Sequence, residues 1–231
     1  MKKRTFYSEI AYFLGLALLA FSTALMAWGD FGMSMVVAPA YILYLKLSQT
    51  LSWFSFGIAE YVLQACVLLL MVIVLRKVRL SYLLSFLAAL LYGLILDGST
   101  ALLSHLAPGG VIPRLLVYIL GDVGCSAGIA LLLRSYLPPE VYELFIKEIS
   151  AHFGWKFSAV KTVYDCASLT LATLMSLLLL GSIQGVGVGT VACALLNGTL
   201  IQLISRLYDK VFTFRDRFSC RSKFEESEDP V

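Results

Sequence analysis

Apolar residues gather along the chain in six long runs, over residues 10–28, 53–75, 80–103, 113–133, 158–180 and 191–207. A helix needs about 20 mostly apolar residues to cross a hydrocarbon layer, so the runs predict six membrane-spanning helices. The breaks between them are chemically distinct. Gly29-Asp30-Phe31-Gly32, Arg76-Lys77-Val78-Arg79, Pro108-Gly109-Gly110, Pro138-Pro139 and Gly185-Val186-Gly187-Val188-Gly189-Thr190 are turn-formers, helix breakers or charge clusters. Pro113 suits a helix start, where its missing N–H would be unpaired anyway.

Two shorter stretches do not fit a full crossing. Residues 34–47 carry Pro39 and Lys46. Residues 140–150 set Val141, Leu144, Phe145 and Ile149 at helical spacing, with Glu143, Lys147 and Glu148 among them. Both are expected to be re-entrant or interfacial segments.

Charge placement supports that count. With six crossings and a cytoplasmic N-terminus, one side collects Lys2, Lys3, Arg4, Arg76, Lys77, Arg79, Arg134, Lys147, Lys156, Lys161 and the basic residues of the tail. The other side keeps Lys46, His105 and Arg114, the asymmetry that the positive-inside rule describes. Residues 1–9 and 208–231 are then a cytoplasmic N-terminus and tail around a membrane domain of residues 10–207. The last ten or so residues, rich in acid, are expected to be disordered. Met1-Lys2-Lys3-Arg4 before an apolar run resembles a secretory signal, but the run is long and further spans follow, so it is read as the first helix.

Composition narrows the class without changing the picture. Of 231 residues, 59% are hydrophobic and only 14% charged, with a mean hydropathy of +0.85, where a soluble domain would carry about a quarter charged residues. A net charge of +3 points to no nucleic-acid partner. Cys66, Cys125, Cys166, Cys193 and Cys220 are odd in number and widely spaced, and four lie in apolar runs, so they read as small apolar residues. His105 and His152 stand alone, no nucleophile, base and acid are arranged for catalysis, and no metal, cofactor or enzymatic activity is expected. Trp28, Trp53, Trp155, Tyr136 and Phe153 fall at predicted span ends, as an interfacial belt would.

The halves show a weak self-similarity. Ala24-Leu25-Met26 aligns with Ala130-Leu131-Leu132, Trp53 with Trp155, and Tyr92-Gly93-Leu94-Ile95 with Asn197-Gly198-Thr199-Leu200. Each half, about residues 10–104 and 113–207, reads as long helix, short segment, helix, helix. Three crossings per half reverse the second half's polarity, so the repeat would be inverted, a common plan of secondary transporters. The expected fold is an all-α polytopic bundle of about six transmembrane helices in two inverted three-helix repeats.

Within the spans, the strongest candidate is Asp122, midway along the fourth run and flanked by Gly121, Gly124 and Gly128. An ionisable group at that depth is costly unless it faces a bundle interior or a water-filled cavity. Its alternative role is a packing acid, protonated or paired with Arg114 or Arg134. Its counterpart in the first repeat is Leu16, so the acid is an asymmetric addition to a repeated frame. Glu60 with Gln64, Asp97, Asp165 with Lys161, Asn197 and Gln202 complete the candidate substrate- or ion-binding set. The repeat sets Gln64 opposite Asp165 and Asp97 opposite Gln202, as one polar path would require. For single residues, a place near the interface, reaching water by snorkelling, stands beside that reading. Gly185, Gly187 and Gly189 read as a tight turn, or a helix start abutting a re-entrant segment, rather than a nucleotide loop.

Thr23-Ala24-Leu25 with Gly32-Met33-Ser34, Ile129-Ala130-Leu131-Leu132-Leu133-Arg134 with Pro138-Pro139, and Gly187-Val188-Gly189-Thr190 with Asn197-Gly198-Thr199-Leu200-Ile201 resemble the YczE/YitT-type bacterial membrane proteins. The resemblance implies a protein of the bacterial cytoplasmic (inner) membrane. The family's first break tends to carry Ser-Pro-x-Asp, whereas Ser34 here precedes Met35, Val36 and Val37, without the proline and the acid.

These readings lead to a small-solute transporter or permease-like protein embedded in the lipid bilayer, with a site between inverted repeats near the midplane and a solute the sequence does not name. The alternative is a membrane scaffold or partner-binding subunit, including the substrate-binding component of an energised transport complex. Homo-oligomerisation is left open.

Overall fold

The computed structural model describes residues 4–107 and 109–217, so the ends of the basic and acidic tail, Cys220 and Met1-Lys2-Lys3 lie outside the described residues. The chain is almost wholly helical: α1 (Ser8–Gly29), α2 (Ala38–Leu47), α3 (Phe56–Leu75), α4 (Leu80–Ser104), α5 (Val111–Leu132), α6 (Val141–Phe153), α7 (Phe157–Met175) and α8 (Val188–Val211), with a π-helical turn, Ser176–Leu180, extending α7. Six of these, α1, α3, α4, α5, α7 with its extension, and α8, are long and apolar enough to cross a membrane. Pro113 sits in the first turn of α5, two residues inside its start.

Local chemistry sets the ends. Asp30 and Arg76 adopt left-handed backbone (φ 58° and 51°) to close α1 and α3, and Gly154 (φ 66°) closes α6, the usual way a helix stops. Ser55 caps α3, its hydroxyl accepting from the Ile58 N–H at 3.2 Å.

The last crossing outruns the expected boundary at residue 207. α8 continues to Val211, and Phe212–Arg215 forms a strand, β2, paired in parallel with β1 (Arg4–Tyr7). Part of the presumed tail thus belongs to the fold, because alternating Phe212 and Phe214 pack on Phe6, one tilted and one edge-on. The pairing places both described chain ends at one end of the bundle, the near end. Tyr136 to Glu9 and Arg134 to Asp209 are tied there. At the far end, Arg114 meets Asp30 at 2.7 Å and Trp28 donates to the Leu106 carbonyl.

α1 packs on α4 and α5; α5 also carries α8; α4 packs on α3. The α1–α5 seam is built from glycine. A Cβ on Gly128 would lie 2.8 Å from the Gly15 carbonyl oxygen and 2.9 Å from the Leu19 nitrogen, and one on Gly15 would lie 2.9 Å from the Gly128 carbonyl. Backbones can approach this closely only where side chains are absent.

The two short helices lie between α3 and α7, each packing on both. They approach from opposite ends. In α2, Tyr44 stacks on Phe56 at the far end of α3 and Tyr41 meets it edge-on, while Pro39 at its start and Val36 just before it lie deeper, beside Leu63 and Val67. In α6, Glu148 meets Arg79 and Tyr82 at the near end, while Tyr142 at its start reaches Glu60, close to the far end of α3. Buried Leu144, Ile146 and Ile149 pack α6 against Met71, Leu75, Tyr82 and Val160. Outward faces of α7 and α8 are apolar and open, with Leu178 and Leu195 mostly exposed, as a lipid-facing surface is.

Candidate functional site

Glu60 and Gln64 stand one turn apart on α3 and are both completely buried. Residues four apart share a helix face, and here that face turns to the start of α6 instead of to water. The snorkelling expectation for Glu60 is therefore corrected: it lies near a helix end but is covered by α6. Tyr142 donates to Glu60 Oε2 at 2.9 Å, and Gln64 Nε2 donates to the same oxygen at 3.4 Å.

Glu140, the residue that starts α6, is buried beside them at 3% exposure. Pro138 and Pro139 hold the approach to it: Tyr12 on α1 donates to the Pro138 carbonyl at 2.9 Å, and Ser85 on α4 donates to the Pro139 carbonyl. Burial pushes the Glu140 carboxyl well above its ordinary value, and the nearby Glu143 and Glu60 charges push it further. Burial also raises Glu143, against the pull of Lys161. Glu60 Oε1, Gln64 Oε1 and Glu140 Oε1 are enclosed with no hydrogen-bond partner, a costly state that native proteins rarely leave unexplained.

A cleft of about 630 Å³ lies next to this cluster. Both short helices contribute to it, α2 through Pro39 and α6 through Phe145 and Ile149, with Leu63 and Val67 of α3 and Tyr164, Ser168 and Leu171 of α7. Its walls are almost wholly apolar. The Tyr142 and Tyr164 rings, 6.5 Å apart, stand between cleft and carboxylates.

Asp122 is elsewhere. It is buried on the α5 face toward α8, accepting from Cys193 Sγ at 3.1 Å, and the Tyr118 hydroxyl lies 3.1 Å from the same sulfur. Neither proposed arginine partner reaches it, since Arg114 is held by Asp30 and the Gly29 carbonyl, and Arg134 by Asp209 and Ser205. Tyr92 donates to Thr23 at 2.9 Å, and Thr23 in turn donates to the Leu19 carbonyl at 3.0 Å and lies 3.8 Å from Cys125 Sγ.

The other candidates do not join a single path. Asp97 organises the start of α3, accepting from Ser55 Oγ at 2.6 Å and the Gly57 N–H at 2.7 Å. Asp165 pairs with Lys161 at 3.4 Å, as their spacing predicts, but does not meet Gln64 among the described contacts. Asn197 accepts from Ser126 at 3.4 Å, and Gln202 is exposed on α8, away from Asp97. The repeat alignment that paired these residues carries depth along a helix, not direction around it.

Glu140, Tyr142, Tyr92, Thr23 and Cys193 are not among the site residues that the sequence suggests. The usable signal was Pro138-Pro139-Glu140, an acid placed where a proline break starts a helix. The glycine motif does abut a short segment: Met33 donates to the Gly185 carbonyl and Gly189 to the Phe31 carbonyl, each at 2.9 Å, and Gly187 begins α8.

Six apolar spans around buried acids and two short helices define a multi-pass membrane protein. A family model described as a family of unknown function (DUF6198) matches residues 6–206, and the chain belongs to that family. No curated protein and no solved structure matches the chain.

Proposed function

We propose that the protein is a small-solute transporter of the bacterial cytoplasmic membrane, built from two inverted repeats, about residues 10–104 and 113–207, with its site between them. The near end is the cytoplasmic one in this reading, since it gathers Arg76, Lys77, Arg79, Arg134 and Lys156. The observation that carries the proposal is the pair of short helices entering from opposite ends, each packed on both α3 and α7. An inverted repeat demands that exchange, in which α2 stands to α3 and α7 as α6 stands to α7 and α3. Transporters place interrupted helices at such a junction because their free ends supply polar groups at mid-depth. Kinship with the YczE/YitT-type proteins belongs to the same proposal.

The test is access to the cleft from both sides. Leu63→Cys and Leu171→Cys, in a chain with Cys66, Cys166 and Cys220 replaced by Ser, are treated with a membrane-impermeant thiol reagent in vesicles of each orientation. A transporter exposes the new thiols to either face in turn. Labelling from one face only, under all conditions, favours a one-sided binding subunit and removes the transport reading.

A further inference from the structure

We propose that Glu60, Gln64 and Glu140 form a site for one small monovalent cation of the sodium type, which enters as a proton leaves. The proposal builds on the transporter reading, in which this cation would be the coupling ion, but the site stands on its own geometry.

Three oxygens, Glu60 Oε1, Gln64 Oε1 and Glu140 Oε1, are enclosed without a donor. All belong to side chains at least nine-tenths buried. Two of the three are carboxylate oxygens. Among the described residues neither carboxylate has a basic partner; the ion pairs near them, Arg79 with Glu148 and Lys161 with Asp165, are made by other acids.

The groups facing the pair are neutral or acidic. On α6 these are Tyr142 and Glu143, on α4 Tyr92, on α7 Tyr164, on α1 Tyr12 and on α5 Cys125. The buried side chains of α2, Ala38, Pro39, Ala40 and Ile42, are all uncharged. Two enclosed carboxylates without a counter-charge cannot both stay ionised. A proton or a bound cation must supply the missing charge.

Donor chemistry selects the ion. The free atoms are all oxygens, the ligands of hard cations, with no thiolate or imidazole to hold a transition metal. Among the described residues no group of three His, Cys, Asp or Glu side chains is placed for a metal. Two carboxylates that keep one proton between them carry one negative charge, which a monovalent cation balances and a divalent ion would exceed. An organic ammonium needs enclosed space that completely buried Glu60 and Gln64 do not leave. Tyr142 and Gln64 both donate to Glu60 Oε2, which leaves Oε1 as the oxygen without a donor. Loading exchanges charge for charge: one cation binds the carboxylate oxygens, one carboxyl proton is released, and net charge is unchanged.

The test is thermal unfolding of the full chain in detergent, titrated with sodium chloride against choline chloride at equal ionic strength, near pH 6 and pH 8.5. Sodium is expected to raise the Tm saturably and choline not, with the apparent affinity tightening up to about tenfold per pH unit while one proton is displaced. Glu60→Gln and Glu140→Gln should each abolish the response, and Asp122→Asn should keep it. Equal stabilisation by potassium keeps the site and widens its ion class. Stabilisation by choline equal to that by sodium, a pH-independent response, or a sodium shift that survives both glutamine variants overturns the proposal. Should one glutamine variant fail to fold, the other, with Gln64→Leu, decides. Loss of the sodium effect with cleft thiols reached from both faces removes only this inference. A sodium effect with one-sided labelling removes only the transport reading.

Discussion

Asp122 and Glu60 are both buried acids in helices long enough to cross a membrane, yet they belong to opposite kinds of surroundings. The α1, α5 and α8 side is closed by backbone contact at Gly15 and Gly128, and its acid has a donor in Cys193. The α2, α3, α6 and α7 side holds a cleft, two short helices and acids whose outer oxygens have no donor. A charge at mid-depth therefore does not by itself mark a site. What separates the two acids is that Glu60, like Glu140 beside it, keeps an enclosed oxygen without a donor, whereas among the described residues Asp122 keeps none.

The contrast is sharpest where the closed side is forced open. Gly128→Val should be the most damaging single change, because its Cβ would meet the Gly15 carbonyl and the Leu19 nitrogen, backbone atoms that cannot step aside. A cost of about 3 kcal/mol, the upper range for overpacking, would appear as loss of monodisperse protein or a strongly lowered Tm. A folded, unshifted variant would show that the seam is looser than its geometry.

Glu140→Gln probes the open side. The Glu140 carboxyl is raised in the folded chain, so the folded state holds its proton after the unfolded chain has lost it. The wild-type protein should then lose stability as pH rises above the ordinary Glu value of about 4.3, by up to about 1.4 kcal/mol per unit until the raised value is passed. In sodium-free buffer the glutamine variant should lack this slope, so its advantage should grow from pH 5 to pH 9. Parallel stability curves would place Glu140 in contact with a compensating charge and weaken the contrast.

The smallest effect is expected from Asp122→Asn. Asparagine keeps an acceptor for Cys193, so the Tm should move by less than a hydrogen bond's net worth, about 1 kcal/mol. A large loss, restored by Glu but not by Asn, would make Asp122 a second charged centre.

Much of the architecture was readable from the chain. Six runs became six long helices because nothing but helical backbone satisfies itself in an apolar run, and the Lys161 with Asp165 pair followed from spacing alone. The site was half readable: Glu60 and Gln64 share a face by arithmetic, but that α6 would cover the face is a tertiary fact. Asp97 illustrates the limit. Its position in an apolar run looked functional, whereas the fold uses it to hold the start of α3, with Ser55 brought from more than forty residues away in sequence. The α8 extension and β2 were missed because Phe212–Arg215 is too short and too charged at its end to signal a strand until β1 lies beside it.

That strand pair carries a further consequence, for biogenesis. Arg4 meets Phe212, so β1 is synthesised before every helix and its partner after all of them. Closing a loop of that length costs entropy that four residues of parallel ladder cannot repay alone. The ladder can form only when the intervening helices have already brought the ends together. The pairing needs both strands on one face of the membrane, which an even number of crossings provides; a chain that inserted one helix too few would leave β1 unmatched.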